Sequence, residues 1–401
     1  MNILFLGSWS IGDPLTVATI YPNLRILDGM DVVAKIIFIT IERKSVFPQF
    51  ELQVKNAKVV HVPITPARLG LKILDSIADF ISARGAVVEI AKASKIDLVI
   101  ARGAPAGAIA YLSWRKNKIP FLVESFEPHA DYMRESGIWT AIDPRYLFQK
   151  RWEKKQIKYA TGLMPVANNY KQVLIQDGVP SEKVFTVPCS VDFKLFNLPD
   201  ADKGTLRLEY DIPSNAVVGI YAGRFGGLYL EDEAFAIYKA AFSSIENFFL
   251  IILTPAERHE WVGHRLAEQA IGRDRFIIRA VRHEEVSKYI QMSDFAFATY
   301  KPGRAKAFLS PVKLGEYWAC GVPVIMTEGV GDESEIMQNT GGVLFTLNDI
   351  NSNNLTPVFQ KMKKLLATPE LDKTLRALAL TLRNQDFTRS AYKYFLQSSG
   401  E

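Results

Sequence analysis

The sequence predicts an α/β protein built of two doubly wound parallel-sheet domains. Three observations carry this prediction. Short apolar runs recur, each followed by a longer helical pattern. The runs are rich in Val, Ile, Leu and Phe on both faces, as strands covered by helices on both sides must be. The rhythm stops at a polar segment and then restarts, so 401 residues divide into the two domains that roughly 150 residues per domain would suggest.

In the first half the strand candidates are Asn2–Leu6, Val32–Ile41, Val59–Ile64, Asp97–Ala101, Phe121–Val123, Leu163–Val166 and Val184–Val187. Helical stretches lie between them. In 71–84, Leu74, Ile77 and Ile81 recur at i, i+3, i+7 and give one apolar face. Residues 106–116 and 146–159 also read as helix. In the second half the strands are Ala216–Ala222, Phe248–Leu253, Phe276–Ala280, Phe295–Thr299, Pro323–Met326 and Val343–Thr346. Helices are expected over 232–243, 256–270, 284–291, 311–320, 355–366 and 370–383. The polar segment 197–204, with Pro199 and Gly204, reads as the linker. The expected organisation is a first domain of 1–197, a second of 205–385, and a C-terminal helix in 386–401 that packs back on the first. Ligands of such sheets bind beyond the carboxyl ends of the strands, so two domains facing a cleft are expected.

Composition narrows the class. Apolar residues make up 48% and charged residues 23%, ordinary for a globular protein and too apolar for disorder. The start, from Met1 to Gly7, lacks a basic segment and a long apolar run, so no signal peptide is expected. No uncharged stretch approaches the ~18 residues of a membrane span. Cys189 and Cys320 cannot build a disulfide framework, which suggests a reducing, cytoplasmic setting. The net charge is +5, and it is uneven. Residues 1–200 hold 25 Lys and Arg against 19 Asp and Glu, while 201–401 hold 23 against 24. The first half could therefore face an anionic partner. From 148 to 159, Lys150, Lys154 and Lys158 recur at i+4 steps, with Arg151 and Lys155 beside them. The expectation is a weak, salt-sensitive peripheral contact with anionic lipid at the inner face of a membrane; a solvated helix face is the plainer reading.

Several chemistries fail on spacing. His259 and His264 stand at i, i+5, about 140° apart around a helix, so they cannot share a metal on one face. His61, His129 and His283 show no ligand spacing. Gly7–Gly12 is not a nucleophile elbow, and neither a Walker A pattern nor a Gly-x-Gly-x-x-Gly follows a first strand. No metal, no other cofactor and no nucleic-acid partner is expected.

The segment 310–325 carries more. Ser310 suits an N-cap and Pro311 the first helical position, while Gly321 and Pro323 end the helix. Lys313 and Glu316, at i, i+3, are neighbours on its surface. A helix N-terminus with a lysine attracts phosphate, and a glutamate can accept bonds from two sugar hydroxyls. Taken alone, the pair reads more simply as a salt bridge on a surface helix.

This segment resembles the donor-site helix of retaining glycosyltransferases of family 4, which have two Rossmann-like domains in the GT-B arrangement. Their pattern is Ser-Pro-x-Lys-x-x-Glu-Tyr-x-Ala-x-Gly-x-Pro-Val. The resemblance implies that Glu316 holds the nucleotide ribose and that Lys313 lies near the donor diphosphate. The stretch 221–227 resembles the family's Gly-Arg loop, with Gly223 and Gly226 giving close backbone approach and Arg224 meeting the diphosphate. The segment 187–196 resembles the one that ends the family's first domain. Gly12, in the loop after the first strand, and Arg282 complete the expected donor set. His129, after a later strand, is the catalytic candidate beside Arg224 and Lys313, or else a loop histidine with a structural hydrogen bond; Arg102 and Glu127 are acceptor-side candidates, with Arg102 reading as easily as a structural ion pair.

Three positions depart from the family pattern. Phe308 stands where an acid usually contacts the donor sugar, Tyr229 where a second lysine is usual, and Cys189 where Asn is common. The resemblance implies a metal-independent glycosyltransferase that takes a nucleotide-diphosphate sugar and passes the sugar, with retention, to a glycan, a lipid-linked glycan or a small molecule. The alternatives are a nucleotide-sugar 2-epimerase of the same fold and a non-catalytic nucleotide-sugar-binding subunit, for which Phe308 and Tyr229 are the arguments.

Overall fold

The computed structural model describes residues 1–13, 15–44, 46–50, 52, 54–68, 70–196 and 203–398. The chain divides into two units, one of Met1–Cys189 with the segment from Gln385 onward, the other of Ser190–Asn384.

In the first unit, β1 (Asn2–Leu6), β2 (Lys35–Ile41), β3 (Val59–Ile64), β4 (Leu98–Arg102), β5 (Phe121–Phe126) and β6 (Gly162–Pro165) form one sheet in the order β3-β2-β1-β4-β5-β6. Every pairing is parallel. Phe5 stands opposite Phe38 on one side and Ile100 on the other. Every residue of β4 is buried, because helices cover both faces. The order reverses between β1 and β4. The loop Gly7–Asp13 that leaves β1, and the junction at Arg102–Gly103 where β4 passes directly into a helix, stand at the position where open α/β sheets receive ligands.

The second unit repeats the plan. β7 (Val217–Ala222), β8 (Phe248–Leu253), β9 (Phe276–Arg279), β10 (Phe295–Ala298), β11 (Val324–Thr327) and β12 (Gly342–Phe345) are ordered β12-β11-β10-β7-β8-β9. The reversal lies between β7 and β10, and all pairings are parallel. Trp318 and Tyr317 are fully buried against Ile220, Ala298 and Met326 on one face of this sheet.

Some expectations are corrected. Val184–Val187 is not a strand; Val184 makes a single bridge to Leu163, and Pro188, which has no N–H to donate, ends the run. The helix expected over 71–84 runs from Lys72 to Ala93, and its buried face is Asp79, Ala83, Val87 and Ala91, while Ile77 and Ile81 are exposed. The Leu74 side chain lies outside the described residues. The stretch 256–270 splits into a 3-10 turn, Ala256–Arg258, and a helix, His259–Glu268.

Residues 197–202 of the expected linker also lie outside the described residues. The units part earlier, after Cys189, because Val191 and Phe196 are buried in the second unit's core. The helix Asp386–Ser398 lies in the first unit, where Tyr392, Phe395 and Leu396 join the core around Phe5. The Phe395 ring fills the space that a side chain at Gly162 would need. No described helix is long and apolar enough to cross a membrane.

Candidate functional site

In the second unit the site is built on the helix Val312–Ala319. Leu314, Tyr317 and Trp318 bury its inner face, and Gly315 lets Val191 approach so closely that a Cβ would lie 2.6 Å from its Cγ2. The N-cap is Pro311, with no side-chain cap bond. Ser310, expected to cap, instead accepts a hydrogen bond from the buried Arg383, whose guanidinium also pairs with buried Glu333. The helix therefore begins one residue later than its sequence suggests.

Lys313 and Glu316 do not pair with each other; each has a different environment. The Lys313 ammonium is buried and has no hydrogen-bond partner among the described residues. It stands 4.1 Å from the ring centroid of Tyr229, 5.3 Å from Tyr221 and 5.8 Å from Tyr300. Ring faces attract a cation without accepting its N–H bonds. Tyr221 is in β7, Tyr300 follows β10, and Tyr229 bridges to Tyr300. The ammonium therefore stands at the reversal point of this sheet.

The loop after β7 is fitted to it. A side chain at Gly223 would collide with Lys313 Nζ. Gly226 has φ +77, and a Cβ there would lie 2.9 Å from Glu231 Oε2. The Ala222 N–H donates to the Tyr317 hydroxyl at 3.1 Å, and the Tyr221 hydroxyl donates to the Arg224 carbonyl. Burial pushes the Tyr221 phenol well above its ordinary value, so it remains a donor. The Arg224 side chain is exposed and has no partner among the described residues.

Glu316 is buried, and its Oε1 meets His283 Nε2 at 2.8 Å. That bond, with the charges of Glu316, Glu284 and Asp192, raises the His283 pKa above its ordinary value against the opposing effect of burial. The His283 ring also packs on Phe196 at 5.3 Å. Sequence spacing gave no sign of His283, which comes to Glu316 from 33 residues earlier in the chain. Its neighbour Arg282, expected in the donor set, is not brought to Glu316. The Arg282 side chain is 81% exposed, 3.7–3.8 Å from Glu284 and Glu285. Its backbone N–H donates to Glu285 at 3.0 Å, which fixes the start of the helix His283–Gln291.

In the first unit, the loop holding Gly12 is organised by Glu42, a buried acid at the end of β2 that sequence reasoning missed. Its carboxylate accepts from Ser10 Oγ, Thr40 Oγ1 and, at 2.8 Å, the Ile11 N–H. A side chain at Gly12 would press on Pro48 at 3.0 Å. His129 and Glu127 are together, with His129 Nδ1 3.4 Å from Glu127 Oε1, and both are half-buried. The His129 ring meets Trp139 edge-on at 5.8 Å. The helix His129–Glu135 is anchored by Glu153, whose buried carboxyl accepts the Ala130 N–H at 2.8 Å; burial pushes its pKa up to about 7.

Arg102, expected on the acceptor side, is buried and paired with buried Glu124 at 3.2 Å. Glu124 also accepts from Asn23 and from Tyr392 of the C-terminal helix. Arg102 is thus engaged in joining β4, β5 and that helix. Among the described residues, no group of three His, Cys, Asp or Glu is placed to hold a metal ion.

Comparison with known proteins gives a family match over part of the chain and a fold over all of it. Residues 37–195 match the family described as Glycosyltransferase Family 4. No curated protein matches the sequence. Among solved structures, a sucrose-phosphate synthase from Thermosynechococcus elongatus is similar with a TM-score of 0.77 at 15% identity, over 99% of this chain and 98% of that one. Anabaena Alr3699/HepE in complex with UDP-glucose gives 0.67 at 16% identity, over 99% of this chain and 100% of that one. A putative UDP-N-acetylglucosamine 2-epimerase from Listeria monocytogenes gives 0.63 at 12% identity, over 100% and 96%. At these identities the likeness is one of fold. The chain accordingly has the GT-B fold, and its residues 37–195 match the model of Glycosyltransferase Family 4.

Proposed function

We propose that the chain is a retaining, metal-independent glycosyltransferase that moves a sugar from a nucleotide-diphosphate donor to an acceptor hydroxyl of a glycan, a lipid-linked glycan or a small molecule. The observation that carries this is the Lys313 ammonium, buried without a hydrogen-bond partner among the described residues at the reversal point of the second sheet. The unpartnered Arg224 is on the adjacent loop, and Glu316 lies three residues along the same helix. A diphosphate would supply the anion that Lys313 lacks. Arg224 would clamp it through two N–H groups, and Glu316 Oε2 would accept from the ribose while Oε1 is held by His283.

Negative charge grows on the diphosphate as the sugar departs. Preorganised cations stabilise that charge more in the transition state than in the ground state, without a metal. The acceptor attacks from the face the diphosphate leaves, and the anomeric configuration is retained. In the first unit His129 is the catalytic candidate, Glu127 beside it is the acceptor-side candidate, and Gly12 belongs to the donor set. The UDP and UDP-glucose complexes of HepE make uridine donors the first to test. The basic row of the helix Pro144–Tyr159 extends the partners to anionic lipid.

The deciding experiment is calorimetry with UDP on the wild type and Glu316→Ala, each first shown to melt at the same temperature without ligand. Loss of charge-assisted bonds worth roughly 1.5–3 kcal/mol each should weaken binding at least tenfold. Equal affinity in the two proteins would defeat the ribose assignment. Turnover with a UDP-sugar should survive EDTA; complete loss rescued by Mg²⁺ or Mn²⁺ would defeat the metal-free reading. An epimerised free donor, with no sugar transferred, would favour the epimerase alternative.

A further inference from the structure

The helix Pro144–Tyr159 buries Gln149, Glu153 and Gln156 and turns its opposite face outward. Arg151, Lys154, Lys155 and Lys158 occupy that face, and none has a carboxylate partner among the described residues; Lys150 beside them is paired with Asp131. With Leu147 this row lines a shallow groove of about 580 Å³.

At the start of the same helix the surface turns apolar. Leu147 is 57% exposed, and Ile142, just before the helix, is 86% exposed. The exposed Phe148 ring packs edge-on against Phe80 at 5.3 Å. That contact joins this end to the helix Lys72–Ala93, where Ile77 and Ile81, one turn apart, are 50% and 61% exposed. Single exposed aliphatics are ordinary, but a cluster on two adjoining helices beside an unpaired basic row is the pattern of a membrane-surface element.

We infer that this face of the first unit docks on an anionic lipid bilayer, with Ile77, Ile81, Ile142 and Leu147 entering the interface and Arg151, Lys154, Lys155 and Lys158 meeting lipid phosphates. The four apolar groups assigned to the interface are aliphatic and branched and suit acyl chains, and the one exposed ring beside them, Phe148, is engaged edge-on with Phe80. The inference rests on the first unit alone and stands whether or not the chain transfers a sugar.

Sedimentation of the full chain with vesicles tests it. The wild type should bind phosphatidylcholine–phosphatidylglycerol vesicles and not phosphatidylcholine alone. Raised salt should weaken binding without abolishing it, because the aliphatic contribution is unscreened. Changing Arg151, Lys154, Lys155 and Lys158 to Gln should lower the partition coefficient about fivefold per cation removed. The triple variant Ile77→Ser, Ile81→Ser, Leu147→Ser should lose the salt-resistant binding; these exposed sites should leave the melting temperature unchanged. No binding to anionic vesicles at low salt overturns the inference. Undiminished salt-resistant binding by the serine variant overturns the role of the apolar residues. Charge-dependent binding to a single-stranded RNA, with none to vesicles, would make the row a nucleic-acid surface instead.

Discussion

The pairing of His283 with Glu316 makes a prediction that reads both folding and ligand binding. His283→Phe keeps a ring against Phe196 and removes the 2.8 Å bond to Glu316 Oε1. A hydrogen bond between charged groups is worth roughly 1.5–3 kcal/mol, and the lower end applies because 29% of the His283 side chain remains exposed. The loss, about 1.5 kcal/mol, is roughly tenfold in an equilibrium constant. The pH dependence has a definite sign. The folded-state pKa of His283 is raised, chiefly by the Glu316 bond. Its stabilisation is therefore complete below the ordinary histidine value, near pH 6.5, and declines as pH rises through the raised folded value. Thermal melts from pH 5.5 to 8.5 should show wild type above His283→Phe by the largest margin at the acid end, narrowing toward the alkaline end. UDP affinity should fall about tenfold in the variant at pH 6, because Glu316 loses the group that orients it. His283→Gln, which keeps a donor but no charge, should recover much of the affinity and none of the pH dependence. A margin between wild type and His283→Phe that is constant across pH would refute the ion pair, and unchanged UDP affinity would refute the positioning role.

Three further outcomes are expected. Glu153, whose pKa burial pushes up to about 7, contributes stability that is present below the ordinary carboxyl range and lost as pH rises through that value, roughly 3 kcal/mol in all; Glu153→Gln should therefore melt above wild type at pH 8.5 and level with it near pH 4. Lys313→Ala should depress kcat with a UDP-sugar more than it weakens UDP binding, and Tyr229→Ala should follow it in part while Tyr229→Phe, which keeps the ring face, does not; single-turnover rates beside calorimetry separate the two effects. Glu124→Ala should lower stability by about 3–5 kcal/mol in denaturant titrations, because it leaves the Arg102 guanidinium buried without its carboxylate.

The sheets were legible because covered parallel strands leave a mark that survives without context: runs such as Asn2–Leu6 and Phe248–Leu253 are apolar at every side-chain position but the first of β1. The same mark went too far at Val184–Val187, where Phe185 and Val187 donate to the Leu163 and Pro165 carbonyls but the pairing amounts to one bridge and no strand. The helix Lys72–Ala93 misled for a related reason. Ile77 and Ile81 of its expected apolar face are exposed, and its buried face contains Asp79, which pairs with Arg43 and Arg68. Lys313 and Glu316 stood out because both chemistries fall within one helical turn. His283, Glu42 and Glu153 did not, because each acts on a partner brought near by the fold alone. Arg102 shows the limit from the other side: the sequence leaves a site residue and a structural ion pair equally open, and only the fold sets Glu124 of the neighbouring strand beside it.

The environment of Lys313 bears on how a site of this kind can wait for its ligand. A buried ammonium is commonly satisfied by a carboxylate, but such a partner would neutralise the charge and compete with an incoming diphosphate. Here the ring faces of Tyr221, Tyr229 and Tyr300 take that place. They hold the cation by roughly 0.5–2 kcal/mol and engage none of its three N–H bonds. Tyr229, at the position where the Gly-Arg loop it resembles has a second lysine, is then more than a lost charge. A lysine there would face Lys313 at short range and repel it, whereas a tyrosine steadies it. Gly223 belongs to the same arrangement, since a side chain there would collide with the ammonium. In the proposed reaction, an ammonium held by neutral ring faces, with no hydrogen-bond partner among the described residues, would have its N–H bonds available to the charge that develops on the diphosphate.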